Sequence, residues 1–194
     1  MRVSRSVLAV PASKWKMVER GPRSGADLFF LDLEDAVAPD SKAEARKNVV
    51  RAVKELDWQR RPTLYRINSL DTPYFYRDVI EVVEEAGDRL DLILVPKAER
   101  PEDLAALDTL LTSVELNAGL EKNKVKLEAQ IETTLGLTNI DAIARATPRL
   151  EALHFGPGDY AASVRMPQTS IGTMYEGEEA YPRPRVHYAI HPLP

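Results

Sequence analysis

Six short, continuous apolar runs are spaced through the first 155 residues, and one helical pattern separates each from the next. The runs are RSVLAVP (5–11), LFFLDL (28–33), TLYRIN (63–68), DLILVP (91–96), KLEAQI (126–131) and ALHF (152–155). Runs with little apolar-polar alternation, such as LFFLDL and DLILVP, belong to strands covered on both faces. Single-helix connections bring each strand back to the same edge, so the strands run parallel. The order predicts an α/β fold of the (β/α)8-type barrel, in which the site lies along the C-terminal edge of the strands. A complete barrel has eight such units in ~250 residues. About six are visible here, so the barrel is expected to be incomplete at the C-terminus.

Local signals place the helices. Ser13 is a cap for a brief helix reaching Arg20, and Ser41 has capping-box spacing to Glu44, with Ala45, Val49, Val53 and Leu56 on one face. Thr72-Pro73 opens a third helix that Gly87 closes, Pro101 opens a fourth ending near Asn117, and residues 135–146 form a fifth. After Ala161 the pattern stops. Residues 1–165 therefore read as the barrel domain with its first six units, and 166–194 as an irregular Pro/Gly-rich tail.

Composition narrows the function. The 194 residues allow one domain with a real core, and a net charge of -4 without a basic stripe argues against nucleic-acid binding. The absence of cysteine rules out disulfides, thiolate metal sites and a Cys nucleophile, and suits a cytoplasmic location. No apolar run approaches the ~18 residues of a membrane span, and the N-terminal apolar stretch is too short for a convincing signal peptide.

Polar residues gather just after the strands: Glu34, Arg66, Lys97, Glu132 and Asp159. Glu132 and Asp159 end two successive strands, which in a parallel sheet brings both to one edge. No Cys or His stands beside them to favour zinc, so the pair fits a hard cation such as Mg²⁺, with Mn²⁺ as a substitute. Each also has a plainer reading, Glu132 at the positive end of a helix and Asp159 in a turn or cap. Arg66 is either a permanently cationic fork for carboxylates and oxyanions or a surface ion-pair residue. Lys97 is at a strand end where it pairs with Glu34 or Glu132, and His154 reads as a core histidine rather than a ligand.

SVLAVPASK, FLDLEDAV, YRIN, VPKAE, LEAQIETTLGL and LHFGPGDYAASV, in this order, resemble the HpcH/HpaI aldolase and citrate lyase β-subunit family. The resemblance covers about residues 4–172 and is strongest to the lyases of malyl-CoA, methylmalyl-CoA and citramalyl-CoA. It implies a Mg²⁺-dependent TIM barrel, assembled as a homo-oligomer (trimer or hexamer), with CoA thioesters as substrates. It implies reversible carbon-carbon cleavage of a 3-hydroxyacyl-CoA into an acyl-CoA and a 2-oxo acid such as glyoxylate or pyruvate.

By the same resemblance Glu132 and Asp159 are the metal ligands, and Arg66 is a catalytic residue that contacts the reacting oxygens. Glu34 and Asp35 are acidic catalytic residues near the metal, Lys14 meets the CoA phosphates, and Gly158 of FGPGD binds substrate. The family's C-terminal lid, with its proton-transfer acid, has no counterpart here. Two alternatives follow: a shortened non-catalytic or subunit-dependent relative that keeps ligand binding, and a citrate lyase β-like citryl-CoA lyase.

Overall fold

The computed structural model describes residues 5–166 and 187–191. Six strands, β1 (Val7–Pro11), β2 (Leu28–Asp32), β3 (Leu64–Arg66), β4 (Leu92–Val95), β5 (Lys126–Ile131) and β6 (Leu150–Phe155), form one sheet in sequence order. All five pairings are parallel, as single-helix crossovers require. The sheet is the curled, six-unit part of a TIM-type barrel, with β1 and β6 at its edges.

The apolar strands are covered on both faces because alternate residues enter different layers. Phe29, Leu31, Tyr65, Ile93 and Leu127 pack with Val49, Val79, Leu104 and Leu111 beneath the helices. Leu28, Phe30, Leu64, Leu92 and Leu94 form a smaller cluster on the other face. Asp32 and Arg66 belong to this second row, and the β2–β3 register sets them opposite one another.

The helices are α1 (Trp15–Val18), α2 (Lys42–Glu55), α3 (Phe75–Ala86), α4 (Pro101–Asn117), α5 (Thr134–Thr138), α6 (Ile140–Ile143) and α7 (Pro157–Ser163). Pro101 does open α4, and Asp103 accepts the Glu99 and Arg100 N–H groups there. Several expectations change. Lys14 rather than Ser13 is the N-cap of α1, without a side-chain cap hydrogen bond, and α3 begins at Phe75 rather than at Thr72-Pro73. Ser41 makes no side-chain cap hydrogen bond, because Pro39–Ser41 forms a 3-10 turn that leads into α2. The single helix expected over 135–146 is broken at Asn139, whose amide donates to Glu99 O at 2.8 Å, while Thr133 caps α5 through the Gly136 N–H.

At the N-terminal edge, fully buried Arg149, just before β6, ties that strand to α4 and to the segment before β5. It donates to Glu115 Oε1 at 2.8 Å and Oε2 at 2.7 Å, to Val125 O at 2.8 Å, to Thr112, and to Asp108. Expectations for residues 166–194 fall largely outside the described residues. Within that stretch, 187–190 forms one turn of helix, α8 (His187–Ile190), with Ala189 buried. Among the described residues no helix is long and apolar enough to cross a membrane.

Candidate active site

Asp32, the last residue of β2, is fixed from two sides. Its carboxylate accepts both arms of the Arg66 fork, Nε to Oδ1 at 2.8 Å and Nη2 to Oδ2 at 2.8 Å, and also the N–H groups of Glu34 and Ala36. Burial opposes ionisation of Asp32, but the guanidinium and the two N–H groups outweigh it and hold the carboxyl below the usual range. Arg66 Nη1 lies 3.1 Å from Glu34 Oε2, an ion pair without hydrogen-bond alignment, so that buried oxygen has no hydrogen bond. Buried Lys42 reaches back from α2 and donates to Leu33 O and Glu34 O at 2.7 and 2.8 Å, which fixes the chain that carries Glu34.

Glu132 follows β5 directly and is 2% exposed. The Lys97 N–H donates to its Oε1 at 2.9 Å and the Gln130 amide to its Oε2 at 2.6 Å, so both oxygens are oriented. Gly156 lies against this carboxylate, and a Cβ there would collide with Glu132 and Gln130, so only glycine permits the approach. Burial pushes the Glu132 carboxyl up to about 7, helped by the charges of Glu34 and Asp159 and opposed by the Lys97 N–H. Glu34 is likewise raised by burial, against Arg66 and Lys97.

Asp159 is in the first turn of α7, which Pro157 opens where a turn was expected. Lys97 connects the groups. Its Nζ is 2.8 Å from Glu34 Oε1, 3.6 Å from Asp159 Oδ2 and 3.7 Å from Asp35 Oδ1. Five carboxylates, Asp32, Glu34, Asp35, Glu132 and Asp159, thus face two cations, Arg66 and Lys97. That surplus of negative charge in a partly buried setting favours a cation.

The structure therefore brings Glu34, Asp35, Arg66, Glu132 and Asp159 to one edge. Gly158 is half-buried beside Asp159 in the first turn of α7, and Lys14 is exposed just beyond the end of β1. In the sequence Asp32 stands in an acidic cluster with Glu34 and Asp35 and reads as a cap or loop residue, and Gln130 carries no signal. The signal for Asp32 was its place on the inward row with Arg66, legible only once the strand register is known. His154 is half-buried and pairs with Glu128 at 2.8 Å, at the register position opposite Gln130.

The residues fit a divalent ion by the chemistry of the donor set: two carboxylates, one oriented and desolvated, beside two further acidic groups. Among the described residues, no three His, Cys, Asp or Glu side chains converge to hold a metal by themselves. Two carboxylates with water completing the shell are what Mg²⁺ commonly takes.

Comparison with known proteins supplies the relationship. An L-malyl-CoA/beta-methylmalyl-CoA lyase of Cereibacter sphaeroides is 45% identical over 175 residues, 90% of this chain and 55% of that protein. The chain thus spans about half the length of this relative. The structure of protein CitE from Mycobacterium tuberculosis in complex with magnesium and pyruvate has a TM-score of 0.63 at 27% identity, over 84% of this chain and 59% of that one. The Haloferax volcanii malate synthase ternary complex, at 20% identity and TM-score 0.76 over 85% of this chain and 51% of that one, shares the fold. With the family profile matching residues 5–187 as well, the chain belongs to the HpcH/HpaI aldolase/citrate lyase family.

Proposed function

We propose that the chain carries the metal- and oxo-acid-binding half of a Mg²⁺-dependent CoA-ester lyase, which cleaves a malyl-CoA-type 3-hydroxyacyl-CoA into an acyl-CoA and a 2-oxo acid. The observation that carries this reading is the meeting of Glu132 and Asp159 at one edge with Glu34 and Arg66 beside them. Relatives that act on such esters support the substrate class. Glu132 and Asp159 would hold the ion, and Glu34 and Asp35 would meet its waters. Bound there, Mg²⁺ supplies Lewis acidity toward the oxygens of the 2-oxo-acid half, and Mn²⁺ serves in its place.

The chain's own residues do the rest. Asp32 locks Arg66 in one orientation, so its charge is fixed in place before substrate arrives. A preorganised cation stabilises charge developing on an oxygen without reorganisation during the reaction. Gln130 and the Lys97 N–H keep Glu132 aimed, and Gly156 leaves the room for it. Lys14, which is exposed, would meet the CoA phosphates.

A second reading, a site completed by another segment or subunit, is favoured by the two sheet edges at β1 and β6 and by the 55% coverage of the Cereibacter relative. Turnover separates them. Incubation of the 194-residue chain with a malyl-CoA-type ester and Mg²⁺ is expected to release a 2-oxo acid, lost on chelation and in Arg66→Ala. No oxo acid at high protein concentration contradicts catalysis by this chain alone and moves the reading to the subunit-dependent form.

A further inference from the structure

Among the described residues, Lys97 alone hydrogen-bonds to both Glu132 and Glu34. Its backbone has φ 48°, in the left-handed region that non-glycine residues rarely adopt. Its N–H meets Glu132 Oε1 at 2.9 Å, and its side chain carries the ammonium to Glu34. The contacts are graded. Glu34 Oε1 is at hydrogen-bond distance, 2.8 Å, whereas Asp159 Oδ2 and Asp35 Oδ1, at 3.6 and 3.7 Å, are held by charge alone. Asp159 can therefore be given up without breaking a hydrogen bond. Arg66 is already engaged elsewhere, with Nε and Nη2 on Asp32 and Nη1 3.1 Å from Glu34 Oε2.

We propose that Lys97 is the built-in counter-cation of this site: its ammonium neutralises Glu34 and Asp159 in the metal-free chain and is displaced from Asp159 when a divalent cation binds, while its N–H keeps Glu132 oriented for ligation. This rests on the reading of Glu132 and Asp159 as metal ligands. Two consequences follow from the charges. Without the ammonium the empty site repels itself and the fold is weakened. The same loss removes a competitor and a like charge from beside the ion, so the ion binds more tightly. Lys97 is in this account a positioning residue that sets cation affinity and keeps the bound ion exchangeable.

Calorimetry and thermal melts with MgCl₂ at constant ionic strength test this on the wild-type chain, Lys97→Met, which keeps the aliphatic stem, and Lys97→Arg, which keeps the charge. Lys97→Met is expected to melt below wild type without metal, to bind Mg²⁺ about tenfold more tightly, the scale set by removing one unit charge a few ångströms away, and to gain more from it in melting temperature. Lys97→Arg should stay near wild type. If Lys97→Met does not fold, Lys97→Gln, neutral but able to donate to Glu34, carries the same expectation. Tighter binding is the discriminating readout, since a merely structural lysine predicts weaker binding when removed. Wild type that binds Mg²⁺ while the neutral variants bind it equally or less tightly overturns the role of Lys97 alone. Wild type that binds no Mg²⁺ overturns the metal reading and, with it, the exchange.

Discussion

Glu132 shows how one buried carboxyl links stability to ligand binding. Its ordinary value of 4.5 rises to about 7 in the fold, so between those values the folded chain holds a proton that the unfolded chain has released. Stability from this group is full below pH 4.5 and is lost as pH rises through 7. Metal-free protein is therefore expected to lose up to ~3 kcal/mol from this source between pH 5 and 8. In Glu132→Gln that part of the decline should vanish, leaving a variant more stable than wild type near pH 8 that gains nothing from Mg²⁺. Denaturant titrations at several pH values check this, and parallel pH profiles for the two proteins would contradict it. The same residue marks how far the sequence could be read. Glu132, Arg66 and Glu34 stand out because charged residues directly after apolar strands are conspicuous. Asp32 looked like one member of an acidic cluster, and its pairing with Arg66 depends on a cross-strand register that no local pattern encodes.

At the scale of elements, all six expected strands are present because short apolar or alternating runs between turn signals have few other places to go. Helix ends were less legible. Asn139 breaks the fifth helix by reaching Glu99 O forty residues back in the chain, a contact invisible to helical periodicity. Arg149 was passed over for the same reason, since its partners come from α4 and the segment before β5. It holds the edge opposite the site. Arg149→Met leaves Glu115, also fully buried, without its cation, and is expected to destabilise by ~3–5 kcal/mol. The folded fraction should still bind Mg²⁺ like wild type, because none of the arginine's contacts touches the cluster. Urea melts with metal titrations on the same samples measure both effects, and a loss of stability below ~1 kcal/mol would mean that the network contributes like a surface pair.

For the molecule as a whole, a curled sheet with two edges leaves apolar surface at β1. Val7, Leu8 and Met17 are exposed there, and a groove of about 480 Å³ runs past Leu8, Val10, Met17, Arg20 and Arg23. Unpaired strand edges and exposed apolar side chains favour association. Light scattering on the chain is expected to report a particle larger than 21.7 kDa, and a stable monomer of that mass would contradict it. None of the residues that line this groove belongs to the carboxylate cluster. The central claim is that Glu132 and Asp159 hold a divalent ion that receives a 2-oxo acid. Calorimetric titration of Mg²⁺ with glyoxylate into wild type and into the Glu132→Ala, Asp159→Ala double variant tests it most directly. Saturable binding is expected in wild type and its loss in the folded variant; equal heats in the two proteins, or none in wild type, would contradict the metal assignment.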